Sequence, residues 1–397
     1  MHLAIITPFP PAITGIGQYG YHMSRALAAS GAFARVTVLA GSHTHDASPH
    51  SPELDIEYCW TPDRPGARTA ILARIRELRP DLAWFNMGVS VFGKSPWANV
   101  SGLSTPGAVR GMGYPTVVTL HELIELADLQ QLQAPGGPFA LWGARFLTDI
   151  ATRSDITCLT MRHYANWLSN RRPGSRYIHI PIGAYHPPEI LPAPETPELL
   201  FFGTLAPYKG LEFLLEAFAL LKTETPDLAL TIAGVGHARF PRYLDELKNS
   251  FGRLDGINWL GAVQEEDLRS LFGRAQLVIL PSQASTGSSS VLIQAATWGR
   301  PVVISDLEEN QRFVREMGLD VSFFEQGSTA SLVEVLRGQL ASPALRTAQA
   351  RQNNAAIWRV RMEVVCHAYL NAFNLALEAR QSAKRIPVPV PPQLELA

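Results

Sequence analysis

The stretch Leu199-Leu200-Phe201-Phe202-Gly203-Thr204-Leu205-Ala206-Pro207-Tyr208-Lys209-Gly210 sets the architecture. Four apolar residues run into a glycine, a short loop carries a proline and a lysine, and after Gly210 the period changes. Leu211, Leu214, Leu215, Phe218 and Leu221 then recur at helical spacing and mark one buried stripe, with Glu212, Glu216 and Lys222 on the other face. A strand that enters a helix through a glycine loop is half of a βαβ unit, and it offers main-chain N–H groups and the Lys209 ammonium to an anion beyond the strand end. A lysine beside a helix start is otherwise a solvated charge, so the stretch speaks first for architecture and only then for a ligand.

The same pattern spreads in both directions. Short apolar runs at residues 3–7, 35–39, 82–85 and 116–120, then at 199–202, 228–233, 277–280 and 301–304, alternate with segments of helical period, which implies an α/β chain with parallel sheets. Residues 186–197 carry five prolines and exclude a helix interior or a central strand. The expected layout is an N-terminal domain over 1–186, a Pro-rich linker over 187–198, a C-terminal domain over 199–357, a closing helix over 358–382 and a mobile Pro-rich tail over 383–397. At 397 residues the chain has room for two full cores, and 46% apolar with 17% charged residues excludes a disordered or fibrous protein. A net charge of −1 supplies no field for nucleic acid. Three scattered cysteines without metal-type spacing, a start without a basic leader and the lack of a long apolar run point to a reducing, cytoplasmic setting.

In open parallel sheets, ligands collect beyond the carboxyl ends of the strands, and four segments fall there. Thr14-Gly15-Ile16-Gly17-Gln18-Tyr19 opens the first helix, where Gly15 and Gly17 permit close approach of a phosphate or sugar, although a plain turn reads equally well. The spacing Gly15, Gly17, Gly20 mimics a dinucleotide fingerprint, but no acidic residue closes a second strand near 35–40. Thr119-Leu120-His121-Glu122 puts an imidazole and a carboxylate at a strand end, where a lone histidine is more often structural. The third segment is the glycine loop ending in Lys209. The fourth, Thr286-Gly287-Ser288-Ser289-Ser290, feeds a helix containing Gln294; its N–H groups and hydroxyls suit a diphosphate, and its serines equally suit a helix cap.

Together with Ile180-Pro181-Ile182-Gly183, residues 261–271 and Gly299-Arg300-Pro301-Val302-Val303, these segments in this order resemble family four of the glycosyltransferases, which has the GT-B fold. The resemblance implies two facing Rossmann-like domains and retaining, metal-independent transfer of a hexose. The nucleotide-sugar donor, a cosubstrate with no other cofactor, would be held mainly by the C-terminal domain. The acceptor, a glycan, a lipid-linked molecule or a small molecule, would be bound mainly by the N-terminal domain. It further implies that Gly15 and Gly17 lie against the donor diphosphate and acceptor, that His121 contacts the donor sugar, and that Lys209 belongs to an Arg/Lys pair on the diphosphate. The chemistry is coherent, because glycosyl departure builds negative charge on the diphosphate, and fixed N–H dipoles with one ammonium meet that charge without a protein nucleophile.

The sequence departs from the family at three donor positions. The arginine after the glycine is Thr204, and two glutamates eight residues apart, one on the donor sugar and one on the ribose hydroxyls, are Thr286 and Gln294. Gln294 still pairs with hydroxyls, Thr286 keeps one, and Ser288 and Ser289 offer extra contacts to phosphate. A weakly active or non-catalytic GT-B protein, serving as partner subunit or ligand binder, is therefore the alternative; a sugar-phosphate phosphorylase or epimerase is disfavoured, since Lys209 stands without a basic cluster. Acceptor recognition points to residues 85–94, including Asn86, with Glu122 and Glu125. Between 138 and 150, Phe139, Leu141, Trp142, Phe146 and Leu147 interleave with Arg145, which reads chiefly as buried core and secondarily as an interfacial membrane helix, a peripheral membrane contact, or a wall of the acceptor site; Arg171, Arg172 and Arg176 form a basic loop that reads chiefly as solvated and secondarily as a contact for anionic headgroups. His43-Thr44-His45 has no accompanying ligand set, and no metal site is expected.

Overall fold

A computed structural model describes residues 1–11, 14–41, 53–133, 136–382 and 384–389. Two all-parallel sheets organise them. The N-terminal sheet holds β1 (His2–Pro8), β2 (Arg35–Gly41), β3 (Asp55–Trp60), β4 (Leu82–Met87), β5 (Thr116–Leu120), β6 (Ile156–Leu159) and β7 (Tyr177–His179), in the order β3-β2-β1-β4-β5-β6-β7. The C-terminal sheet holds β8 (Glu198–Phe202), β9 (Ala229–Ala233), β10 (Ile257–Gly261), β11 (Leu277–Leu280), β12 (Val302–Ser305) and β13 (Ser322–Phe324), in the order β10-β9-β8-β11-β12-β13. The second order repeats the first, shortened by one edge strand. This is the two-domain α/β architecture that the alternating runs imply.

The central strands β1, β4, β5 and β11 are buried along their length because helices cover both faces, which is why they read as continuous apolar runs. Strands absent from the sequence reading are of two kinds. The edge strands β3, β7, β10 and β13 are short or half-exposed, and β6 dilutes its apolar run with Thr157 and Cys158.

The segment between the sheets is pinned rather than loose. Arg300, 3% exposed, donates from Nη2 to the Pro192 carbonyl at 2.7 Å and to the Gly273 carbonyl at 3.3 Å, and burial holds its pKa down to about 10. Leu191 is buried, and the Glu189 N–H donates to the Thr297 carbonyl at 2.8 Å. Two histidine–glutamate clusters tie the lobes together. His22 Nε2 of the first helix (Gly15–Ala29) lies 2.8 Å from Glu265 Oε1, while His163 of the helix Arg162–Arg171 sits 3.1 Å from Glu309 and 3.6 Å from Glu316, both on the helix Glu308–Met317. For His163, burial pulls the pKa down, but hydrogen bonds and charge from the two glutamates outweigh it and raise the pKa to about 9.

The last helix, Met362–Ala379, packs on the first helix and on β5 and β6 of the N-terminal lobe. Tyr369 and Phe373 are fully buried there; Tyr369 lies 5.1 Å and Phe373 6.1 Å, ring to ring, from Trp84 of β4. Two expectations are overturned. Residues 384–389 of the Pro-rich tail are anchored: Ile386 is 3% exposed and exchanges main-chain hydrogen bonds with the Asn374 amide at 2.8 and 3.0 Å, and Lys384 lies against Asp81 at 2.5 Å. The aromatic helix Pro138–Ala151 buries Ala144, Thr148, Ile150 and Ala151, yet leaves Phe139 91% and Trp142 69% exposed, so its aromatic stripe faces away from the core. His43-Thr44-His45 and the end of the tail lie outside the described residues.

Candidate functional site

The residues that follow β5 and β6 meet those that follow β11, so the candidate crevice lies where the carboxyl ends of the two sheets come together. An isolated antiparallel bridge joins Glu122 to Gly287, and Ser288 Oγ donates to Thr160 Oγ1 at 3.2 Å. Gly287 is required by that contact: a Cβ would stand 2.4 Å from the His121 carbonyl oxygen. At the rim, Lys94 Nζ donates to the Ala238 carbonyl at 3.4 Å and Gln326 Nε2 to Gln131 Oε1 at 2.7 Å.

On the N-terminal wall the polar groups hold one another. His121 Nε2 lies 2.6 Å from Asn86 Oδ1, and Asn86 Nδ2 donates to Thr7 Oγ1 and to the Ile16 carbonyl, both at 2.9 Å. With its amide nitrogen so engaged, Asn86 presents an acceptor to the ring, which makes Nε2 the protonated nitrogen and leaves Nδ1 as a lone-pair acceptor. Burial depresses the His121 pKa to about 4, so the ring is neutral at physiological pH and acts through that lone pair, not through charge. Beneath it, Tyr19 meets the ring edge-on at 4.9 Å and donates to Tyr369, which in turn bonds Thr119 at 2.9 Å. Asn86 is thus the partner of His121, fully buried, and not an open acceptor contact.

The remaining N-terminal expectations divide. Gly15 is exposed at the start of the first helix, and Gly17 donates its N–H to Thr14 Oγ1 at 2.9 Å, closing the cap; the first turn carries no acidic side chain. Glu122 accepts from the Val89 N–H at 3.0 Å and from the Thr286 hydroxyl of the opposite lobe; burial raises its pKa against those two bonds. Glu125 is withdrawn from the crevice: its carboxylate is buried, accepts 2.8 and 2.9 Å bonds from Arg171 and a 3.0 Å bond from Trp167 Nε1. Two arginine N–H groups and an indole beside a carboxylate with no exposed surface leave it nothing to give an acceptor.

On the C-terminal wall several groups stand without protein partners. Gly210 sits at φ 68, where a Cβ would lie 2.0 Å from the Pro281 carbonyl oxygen, and this lets the loop turn into the helix Leu211–Glu224. Lys209 is placed just before that helix with Nζ 5.7 Å from the Tyr208 ring centre. It forms no ion pair among the described residues, and burial lowers its pKa, since desolvation disfavours the ammonium. Gln294 is 7% exposed, and its Oε1 has no hydrogen-bond partner. Thr204 is exposed at the loop start. Ser289 spends its hydroxyl as the N-cap of the helix Ser290–Thr297, accepting from the Leu292 N–H at 3.2 Å, and Ser288 is engaged with Thr160, so the serine run supplies backbone N–H groups more than free hydroxyls.

Sequence reasoning missed the loop after β9. Leu205 pairs with Gly236, and His237 packs edge-on against Tyr208 at 6.2 Å, with burial, then Arg239 and Lys209, lowering its pKa. Gly234-Val235-Gly236 directly after an apolar run was the signal that marks it.

Two facing Rossmann-like lobes with glycine loops at the mouths of both sheets define a GT-B protein. Structures with that fold superpose along nearly the whole chain: sucrose-phosphate synthase from Thermosynechococcus elongatus covers 96% of this chain and 100% of its own at a TM-score of 0.72 and 16% identity, and Anabaena HepE in complex with UDP-glucose covers 94% and 98% at 0.67 and 16%. Residues 196–341, the C-terminal lobe, match the family model described as glycosyl transferases group 1. Among curated relatives, a phosphatidyl-myo-inositol mannosyltransferase of Propionibacterium freudenreichii is 28% identical over 38% of this chain and 36% of its own length. An alpha-D-kanosaminyltransferase of Streptomyces kanamyceticus is 31% identical over 41% and 40%. The matching part spans well under half the length of these relatives. No helix among the described residues is long and apolar enough to cross a membrane.

Proposed function

We propose that the protein is a retaining glycosyltransferase that moves a hexose from a nucleotide sugar to an acceptor held by the N-terminal lobe. The observation that carries this reading is the Lys209 ammonium, without a carboxylate partner, at the start of a helix on one wall, opposite a neutral His121 with a free lone pair on the other. An anion is the natural counterpart of the first group and a sugar hydroxyl of the second. Lys209 and the helix-start N–H groups would stabilise charge developing on the leaving diphosphate; His121 Nδ1 would accept from a donor hydroxyl and orient the sugar. Gln294 Oε1 would receive the ribose hydroxyls.

Glu122 answers the carboxylate missing at Thr286. It reaches toward the Thr286 hydroxyl from the facing lobe, so a carboxyl group would stand beside the sugar position although the C-terminal loop lacks its own. Stabilisation of the leaving group by the ammonium and N–H groups needs no metal. We place the reaction in the cytoplasm, in keeping with three free cysteines.

A thermal-shift panel of UDP, GDP, ADP, CDP and dTDP with matched sugar nucleotides tests the reading, because selective binding raises apparent stability by mass action. One nucleotide should stand out, and its sugar form should be turned over; His121→Ala should lower turnover roughly tenfold or more. The replacements at Thr204, Thr286 and Gln294 favour the second reading, a non-catalytic nucleotide-sugar binder. It predicts the same shift with no turnover and no effect of His121→Ala on biological output.

A further inference from the structure

The exposed side of the helix Pro138–Ala151 carries Phe139, Trp142 and Phe146 at helical spacing, with Trp142 and Phe146 stacked at 5.8 Å and 9°. Trp97, 81% exposed, stands at the start of the helix Pro96–Leu103, which packs against it. Large aromatic side chains are rarely left this open on a soluble surface, and four on two adjoining helices form a patch, not scattered singles.

The two segments that carry the patch hold a surplus of cations, although Asp149 lines the groove beside it and Glu125 pairs with Arg171. Residues 94–121 contain Lys94 and Arg110 with no Asp or Glu, and residues 138–176 contain six arginines against Asp149 and Asp155, in a chain whose net charge is −1. Both of those acids are already claimed: Asp149 by Arg171 and Arg172, Asp155 by Arg110 and Arg380. Arg145, Arg153 and Arg176 enter no ion pair among the described residues. Between the two features lies a groove of about 470 Å³ lined by Trp142, Arg145, Phe146, Asp149, Arg171 and Arg172.

We infer that this face docks on the surface of an anionic phospholipid bilayer, with Phe139, Trp142 and Phe146 entering the headgroup–acyl boundary and Arg145 and its neighbours meeting phosphate. The aromatic stripe supplies the apolar area and tryptophan's preference for that boundary; the surplus of cations supplies charge complementarity to the lipid. Sequence connection sets the orientation. Gln133, five residues before the helix Pro138–Ala151, accepts from Arg239 Nη2 of the C-terminal lobe at 2.8 Å, which puts the helix start on the side of the lobe that meets the crevice. The inference stands on exposure and charge, independently of the transferase reading.

Flotation of the full chain with phosphatidylcholine vesicles, with and without phosphatidylglycerol, tests it. Binding should require phosphatidylglycerol and weaken with salt. Phe139→Ala/Trp142→Ala should reduce partitioning roughly tenfold or more, and Arg145→Glu/Arg176→Glu should abolish the preference for anionic vesicles. All four side chains are exposed, and unchanged near-ultraviolet circular dichroism and melting temperature show that the variants fold. The inference fails if the wild-type protein stays with the unbound fraction, if the aromatic pair changes nothing, or if sedimentation reveals a dimer that Phe139→Ala/Trp142→Ala dissolves, since the patch would then be a self-association surface.

Discussion

The two walls of the crevice share a strand order and differ in how far their polar groups are satisfied. On the N-terminal wall, His121, Asn86, Thr7, Tyr19, Thr119 and Tyr369 form one connected network. On the C-terminal wall, Lys209 has no counter-ion among the described residues and Gln294 Oε1 has no partner. Buried polar groups are nearly always paired, so groups left open at strand ends are free to bond a ligand, whereas a closed network fixes the shape of the surface a ligand would meet. On the proposed function, this difference gives anion binding to one lobe and orientation of the substrate to the other.

The largest expected effect removes the open cation. Lys209→Ala should lower kcat by roughly 10² or more while the fold persists, measured by steady-state kinetics beside the nucleoside diphosphate affinity. An unchanged kcat would mean that the C-terminal wall is open for some reason other than charge.

The next change adds charge where the walls touch. Thr286→Glu introduces the residue that the family resemblance implies there but sets a second carboxyl group against Glu122, so kcat/KM should fall by about tenfold, and Glu122→Thr in the same chain should recover most of it. Recovery by exchange places the carboxyl group in the crevice regardless of which lobe carries it. An improvement from Thr286→Glu alone would show instead that Glu122 plays no such part.

Disturbing the closed network should cost less. Asn86→Leu removes the acceptor that fixes the His121 tautomer, and kcat should fall several-fold with KM for the donor changed little, while the His121 nitrogen resonances move toward a mixture of tautomers.

The smallest effects are in pH. His121 has a folded pKa of about 4 against an ordinary 6.5, so the unfolded chain binds the proton more readily, and the stability contributed by the neutral ring is lost as pH falls from 6.5 toward 4. His163 is raised to about 9, so its contribution is fully present below 6.5 and is lost as pH rises through 9. Thermal melting across pH 4–10 should therefore decline at both ends, and His163→Gln should flatten the alkaline side only.

Much of the architecture was legible because the central strands are continuous apolar runs and the helix after Gly210 has one clean stripe. Edge strands escaped because they are half-exposed, as at Ile257–Gly261. At the site, Lys209 and His121 could be located from strand ends alone. The partners could not: Asn86 lies 35 residues from His121 in sequence, and the Glu122–Thr286 contact joins separate lobes. Local pattern likewise misplaced Glu125, whose arginine arrives from another helix, and the aromatic stripe of Pro138–Ala151, since periodicity marks an apolar face without saying what covers it.

The position of Tyr369 and Phe373 has a consequence for biosynthesis. The floor beneath His121 is completed by side chains near the end of the chain, and so the first lobe to leave the ribosome is the last to be finished. Until those residues emerge, Trp84 and Thr119 lack their covering, and a nascent chain halted just before Met362 would hold a complete C-terminal core beside an unfinished N-terminal one.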